Sequence, residues 1–301
     1  GGLPMTPAFQ MTPLLFLGAL ILGAGVGVLT GLFGVGGGFM MTPLLNVVLG
    51  VPMPIAVGTG AMQILGTATA GLYRRRRDGL VDYKMAVMLF GGNLVGVQLG
   101  DAIVQWLKGL GTVILGGEPV PAVEIVIQIV FVVMLTAITG WLWYDTSRNG
   151  ATEEATEGLF SRLAIPPFTR FATLDTPRMS IPVMSYFGLV LGFLTGLLGI
   201  GGGVVLVPAL LYLVGMRAHP ASATSMAMVW LASLVAVVTK VASGDASLAL
   251  VIPLLVGGSV GLQVGVTVCD RMSASRLKRY FGLVVLAATL LVAGKVVALL
   301  V

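Results

Sequence analysis

Three groups of residues have types and spacings suited to holding a small anion. The first is a pair of glycine runs, Gly36-Gly37-Gly38 and Gly201-Gly202-Gly203. Each stands between an apolar segment and a short apolar stretch containing a proline, so each reads as a helix break followed by a helix N-terminus. Such a terminus presents unpaired N–H groups and about half a positive charge, and glycine lets an anion come close to the backbone. Tight helix packing is the other reading of small residues in an apolar chain. Two runs at corresponding positions favour a site. The second group is Thr59 with Gly60 and Gln63, matched by Thr224 and Ser225. Both sets follow a loop that opens a long apolar segment, which puts hydroxyls and N–H donors near another helix start. A hydroxyl bonded to its own helix backbone is the alternative for each of them. The third group is Gln98 and Gln263, each in the middle of an apolar segment. An unpaired amide there costs a few kcal/mol, so either an interhelical hydrogen bond or a substrate contact accounts for it. Asp101, one turn beyond Gln98, is an ionisable group inside an apolar segment and a candidate for binding a coupling proton or sodium ion. The corresponding position of the other segment is Val266.

Other chemistry is excluded by what is scarce. The single cysteine, Cys269, and single histidine, His219, form no cluster for zinc, haem or an iron–sulfur centre, so no metal and no cofactor is expected. The glycine runs lack the lysine of a Walker loop, and Phe39 and Val204 occupy the sixth position of a dinucleotide fingerprint. No Ser/His/Asp set or carboxylate pair marks an enzyme. The net charge of +5 comes from basic residues gathered at segment ends, the pattern of membrane topology rather than of nucleic-acid binding.

These residues sit in a chain that is 57% hydrophobic and only 10% charged over 301 residues, with a mean hydropathy of +1.03. Apolar runs long enough to cross about 30 Å of hydrocarbon recur from end to end. Lipid satisfies no backbone groups and the runs do not alternate, so an all-α polytopic membrane protein surrounded by lipid is expected. Shifting the chain by 165 residues lays "TGLFGVGGGFMMTP" (30–43) over "TGLLGIGGGVVLVP" (195–208) with eight of fourteen positions identical. The same shift places "AVGTG" (56–60) on "ASATS" (221–225), and Gly92, Gly96, Gln98 and Gly100 on Gly257, Gly261, Gln263 and Gly265. The chain is an internal duplication: repeat 1 over 1–145, a polar linker over 146–180, and repeat 2 over 181–301.

Each repeat reads as five segments, at about 12–33, 39–49, 55–73, 83–107 and 121–144, then 181–198, 204–214, 219–240, 246–270 and 276–300. The second segment of each is too short to span the membrane, which predicts Gly-interrupted half-helices. With Arg74 to Arg77 in the cytoplasm, alternate threading puts fourteen of the seventeen basic residues and the linker inside. Both termini then face outward, and five segments per repeat makes the repeats inverted in topology. The glycines of "GNLVGVQLG" and its twin recur every fourth residue, a ridge for close helix packing. No predicted span has a Lys or Arg at its centre, so an anion must rest on helix termini and neutral donors.

At these motifs the sequence resembles the TauE/SafE sulfite exporter family, also called the toluene-sulfonate uptake permeases. The resemblance lies in "TGLFGVGGGFMMTPLL" and "TGLLGIGGGVVLVPALL", each followed about ten residues on by "AVGTG" or "HPASATS", and in "GNLVGVQLG" and "GSVGLQVG". It implies transport of sulfite, sulfoacetate or a related sulfonate across the bacterial inner membrane, and the name fixes neither substrate nor direction. The inverted repeats point to a secondary transporter working by alternating access, read here as an exporter, with a homo-oligomer as a further expectation. An anion channel and an uptake permease for the same substrates are the alternatives.

Overall fold

The computed structural model describes residues 12–115, 118–149, 160, 165–171, 179–198 and 203–300. Gly201 and Gly202, and most of the 146–180 linker, lie outside these residues. The described chain forms ten helices: α1 (Pro13–Phe33), α2 (Gly38–Val48), α3 (Met53–Arg75), α4 (Tyr83–Lys108), α5 (Ala122–Asn149), α6 (Ile181–Leu198), α7 (Gly203–Ala209), α8 (Ala218–Ala242), α9 (Leu248–Cys269) and α10 (Ala274–Leu300). A π-helical turn, Leu210–Val214, extends α7. Two short antiparallel strand pairs are the only sheet among the described residues. Seven helices are long and apolar enough to cross a bilayer. The protein is an all-α, multi-pass membrane protein.

Local signals set the helix ends. Thr12 caps α1 by accepting from the Leu15 N–H at 3.3 Å, and Asp82 caps α4 by accepting from the Met85 N–H at 3.0 Å. The chain turns out of α1 at Gly34 and into α2 at Gly37, both in the left-handed region. Pro43 and Pro208 fall at matching places within the two short helices.

Glycine ridges dictate how the long helices associate. A Cβ on Gly23, Gly27 or Gly31 of α1 would strike the Leu254, Gly258 or Leu262 carbonyl of α9. Partners rise together in number, so α1 and α9 run parallel with backbones touching. Gly92, Gly96 and Gly100 of α4 meet the Ser185, Leu189 and Phe193 carbonyls of α6 in the same way. Lipid supplies no hydrophobic push between helices, and such closeness gains van der Waals contact instead. The packing role expected of Gly92, Gly96, Gly100, Gly257, Gly261 and Gly265 is what their surroundings show.

Helix α3 crosses α8 in the opposite sense: Gly58 lies against Lys240 and Asp245, Thr69 takes the Trp230 indole N–H at 2.8 Å, and Gly71 lies against Met226. Alongside α9, α3 runs parallel, with Gly66 by Leu255 and Gly71 by Leu262. Polar pairs from Asp101 to Lys240 and from Gln105 to Asp245 run α4 parallel to α8. Thus α1, α3 and α9 point one way, and α4, α6 and α8 the other.

The short helix α2 returns alongside α1. Gly37 abuts Val26 and Thr30 of α1, whereas Leu49, just past α2, touches Gly18. Eleven residues rise about 16 Å, so α2 covers about half of α1, from beside Val26 and Thr30 back toward Gly18. Met41 and Leu45 pack with Ala19, Val26, Leu250 and Leu254. This is the half-helix that the short second segment predicts.

Candidate functional site

The start of α2 lies against buried Thr30 of α1 and carries buried Thr42 one turn on. Gly36 and Gly37 hold φ angles of 74° and 72°, and a Cβ on Gly36 would collide with Val229 and come within 3.0 Å of Ile64 Cγ2. The break therefore requires glycine for its backbone angles and for its contacts. Met40 and Met41 donate the first bonds of α2 to the Gly37 carbonyl, at 3.1 and 3.0 Å. The N–H groups ahead of them, including that of Gly38, form the orphan donors of a helix start.

Gln63 of α3 adjoins Ile64, which faces Gly36 across this break. Its side chain is fully buried, and neither amide atom has a hydrogen-bond partner among the described residues. Its Nε2 lies 2.9 Å from where a Cβ on Gly258 would project. The Thr42 hydroxyl of α2 is also buried and unpartnered, next to Gly60. Leaving such groups dry and unpaired costs about 1–3 kcal/mol each, so polar ligands or water are needed to satisfy them. The start of α7 meets the first break here: Gly203, its first residue, packs on the Val35 backbone. Of the expected site residues, Gly36, Gly37, Gly38, Gln63 and Gly203 are thus brought to one place, together with Gly60.

Thr59 and Thr224 have a different occupation. Thr59 Oγ1 accepts the Ser247 N–H at 3.1 Å, and Thr224 Oγ1 accepts the Asp82 N–H at 3.0 Å. Ser247 and Asp82 are the residues that open α9 and α4. Each threonine therefore fixes the start of a helix from the other repeat. Ser225 donates to the Gly34 carbonyl at 2.7 Å and to the Ser222 carbonyl at 2.9 Å, anchoring α8 to the first break.

Gln98 and Gln263 do not join the site. Both are exposed, on helix faces that also carry exposed Val95 and Leu99, and Val260 and Val264. Asn93, within the glycine ridge, is the buried amide of α4. Its Oδ1 and Nδ2 have no partner among the described residues. Nothing in its type or spacing distinguishes it beforehand.

Two buried cations also escape an eye set on span centres. Lys240, at the end of α8, pairs with Asp101 at 2.6 Å, so the candidate coupling carboxylate already has a counterion. Close by, Lys108 pairs with Asp245 at 2.5 Å. Arg75, at the end of α3, is 1% exposed, whereas Arg74, Arg76 and Arg77 are exposed. A cavity lined by Phe33, Val207, Leu211, Ala218, Leu277 and Phe281 opens beside the unpartnered Ser222 hydroxyl.

A break of paired helix starts with neutral donors suits reversible anion binding, and the comparisons with known proteins identify the setting. The family described as sulfite exporter TauE/SafE matches residues 19–292. The chain belongs to this family. Its relatives include a probable membrane transporter protein of Xylella fastidiosa, 30% identical over 270 residues that cover 89% of this chain and 90% of that one. Another is the probable membrane transporter protein YjnA of Bacillus subtilis, 26% identical over 91% of this chain and 96% of its own. No solved structure matches. As a TauE/SafE protein, the chain is a membrane transporter.

Proposed function

We propose that this transporter carries sulfite or a related small organosulfonate out of the bacterial cell, across the inner membrane, by alternating access. The observation that carries the reading is the packing of Gly203, the start of α7, on Val35 of the first break, near a fully buried Gln63 that has no partner among the described residues. Helix-start N–H groups and a neutral amide hold an oxyanion without a formal charge, which permits release on either side. Residues 1–145 and 181–301 act as inverted repeats. The 165-residue match supports this, as do the helix directions: each helix in the set α1, α3, α9 has its repeat counterpart in the set α6, α8, α4, which points the other way. The reciprocal bonds of Thr59 to Ser247 and Thr224 to Asp82 follow the same exchange.

The Arg75 end is assigned to the cytoplasm by the charge rule, which puts both termini and the Lys240 end outside. Coupling to a proton or sodium gradient through Asp101 then means parting it from Lys240 during the cycle. Sulfite counterflow into proteoliposomes tests the reading. Saturable flux of labelled sulfite, accelerated by sulfite on the opposite side, is expected. Flux that rises linearly with concentration and shows no acceleration from the opposite side would mark a channel instead.

A further inference from the structure

The two buried cations stand 165 residues apart, so Arg75 and Lys240 are counterparts in the repeat. Their surroundings differ in one decisive place. Lys240 has the Asp101 carboxylate at 2.6 Å, and the counterpart of Asp101 is Val266. Val266 is 1% exposed and clusters with Ala68, Met226 and Leu262. Arg75 is as buried as Lys240, yet its Nε and Nη2 have no hydrogen-bond partner among the described residues; the guanidinium hydrogen-bonds the Cys269 thiol beside it. Nε–H and Nη2–H form one edge of the guanidinium, the fork that takes two oxygens of one anion in parallel hydrogen bonds. A buried charge with no counterion among the described residues is costly. The exposed Arg74, Arg76 and Arg77 add positive potential around it.

We propose that Arg75 is an oxyanion-binding site, in which a sulfite- or sulfate-like anion fills the counterion role that Asp101 fills for Lys240. One repeat carries its counterion covalently, and the other borrows a mobile one. The anion's identity rests on the transport reading above, whereas the existence of the site rests on Arg75 and Val266.

The test is thermal unfolding of the purified full chain in detergent, with sodium sulfate or sodium sulfite against sodium chloride at equal ionic strength. At about ten times Kd the oxyanion is expected to raise the Tm of the unmodified chain by ~2–4 °C. Arg75→Gln abolishes this shift. Arg75→Lys keeps the charge without the fork and weakens apparent affinity about tenfold or more. Val266→Asp supplies the carboxylate and abolishes the oxyanion shift, with a Tm in chloride no lower than that of the unmodified chain. If Val266→Asp does not fold, the two Arg75 variants decide. Unchanged oxyanion shifts in Arg75→Gln and Arg75→Lys overturn the proposal, as does a shift produced by added phosphatidylglycerol and not by sulfate or sulfite, which assigns the site to lipid. Sulfite counterflow on the same preparations separates the two ideas. Absent flux with an intact Arg75-dependent shift refutes sulfite transport alone, and normal flux with no such shift refutes the Arg75 site alone.

Discussion

Replacing Asp101 with asparagine isolates the ion pair at the Lys240 end. The Lys240 side chain is 2% exposed and the Asp101 side chain 15%, so Asp101→Asn leaves a buried ammonium facing an amide that cannot neutralise it. Removing one partner of a buried pair costs about 3–5 kcal/mol. Because Asp101 keeps some contact with solvent, the lower figure, about 3 kcal/mol, is expected. At ~2–4 °C per kcal/mol this lowers Tm by about 6 °C or more. Lys240→Met combined with Asp101→Asn removes the stranded charge and recovers most of the loss, since an apolar replacement of a buried pair is often neutral. A double-mutant cycle by thermal unfolding in detergent measures the coupling. A loss below about 1 kcal/mol for Asp101→Asn, or a double variant no more stable than the single, would refute the assignment of Lys240 as a buried charge dependent on Asp101.

Other outcomes follow from the same contacts. Thr59→Val and Thr224→Val each strip the acceptor from a backbone N–H and should each destabilise by about 1–3 kcal/mol; strongly unequal losses would contradict the reciprocal arrangement. Gly27→Val drives a side chain into the Gly258 carbonyl and should destabilise by roughly 1–3 kcal/mol or more, whereas the same change at Gly25, which has open space, should cost far less. Gln98→Leu and Gln263→Leu place apolar groups on exposed apolar faces and should leave sulfite counterflow unchanged. Lost flux in either would return those amides to the transport path.

Much of this was legible in residues whose periodicity or repetition carries the information. The 165-residue match located the first break and the start of α7, and the short run after Gly38 announced a half-helix that the structure shows beginning beside Val26 and Thr30 of α1. The glutamines show where symmetry alone misleads. A matched pair proves that position matters to the repeat, not which way the side chain points. Gln98 follows Gly96 by two residues, a rotation of about 200°, and Gly96 faces α6. The same helical period that built the ridge therefore turned the amide outward. Arg75 was concealed differently: four consecutive arginines satisfy the topology rule together, and a run of one residue type does not show which member turns inward. Its register with Lys240 was the available signal, because a charge repeated at the 165-residue shift is unlike a charge at a loose helix end. Asn93 gave none, lying between Gly92 and Leu94 in a stretch whose glycines account for its pattern.

Gln63→Leu puts the central claim to its most direct test, because the substitution keeps a side chain of comparable size and removes a buried amide that no described residue satisfies. Sulfite counterflow and thermal unfolding are measured on the same purified variant. Flux is expected to fall at least tenfold while Tm holds or rises. Full flux at unchanged sulfite affinity, or a Tm loss that accounts for the missing flux, would contradict a substrate site at the paired breaks.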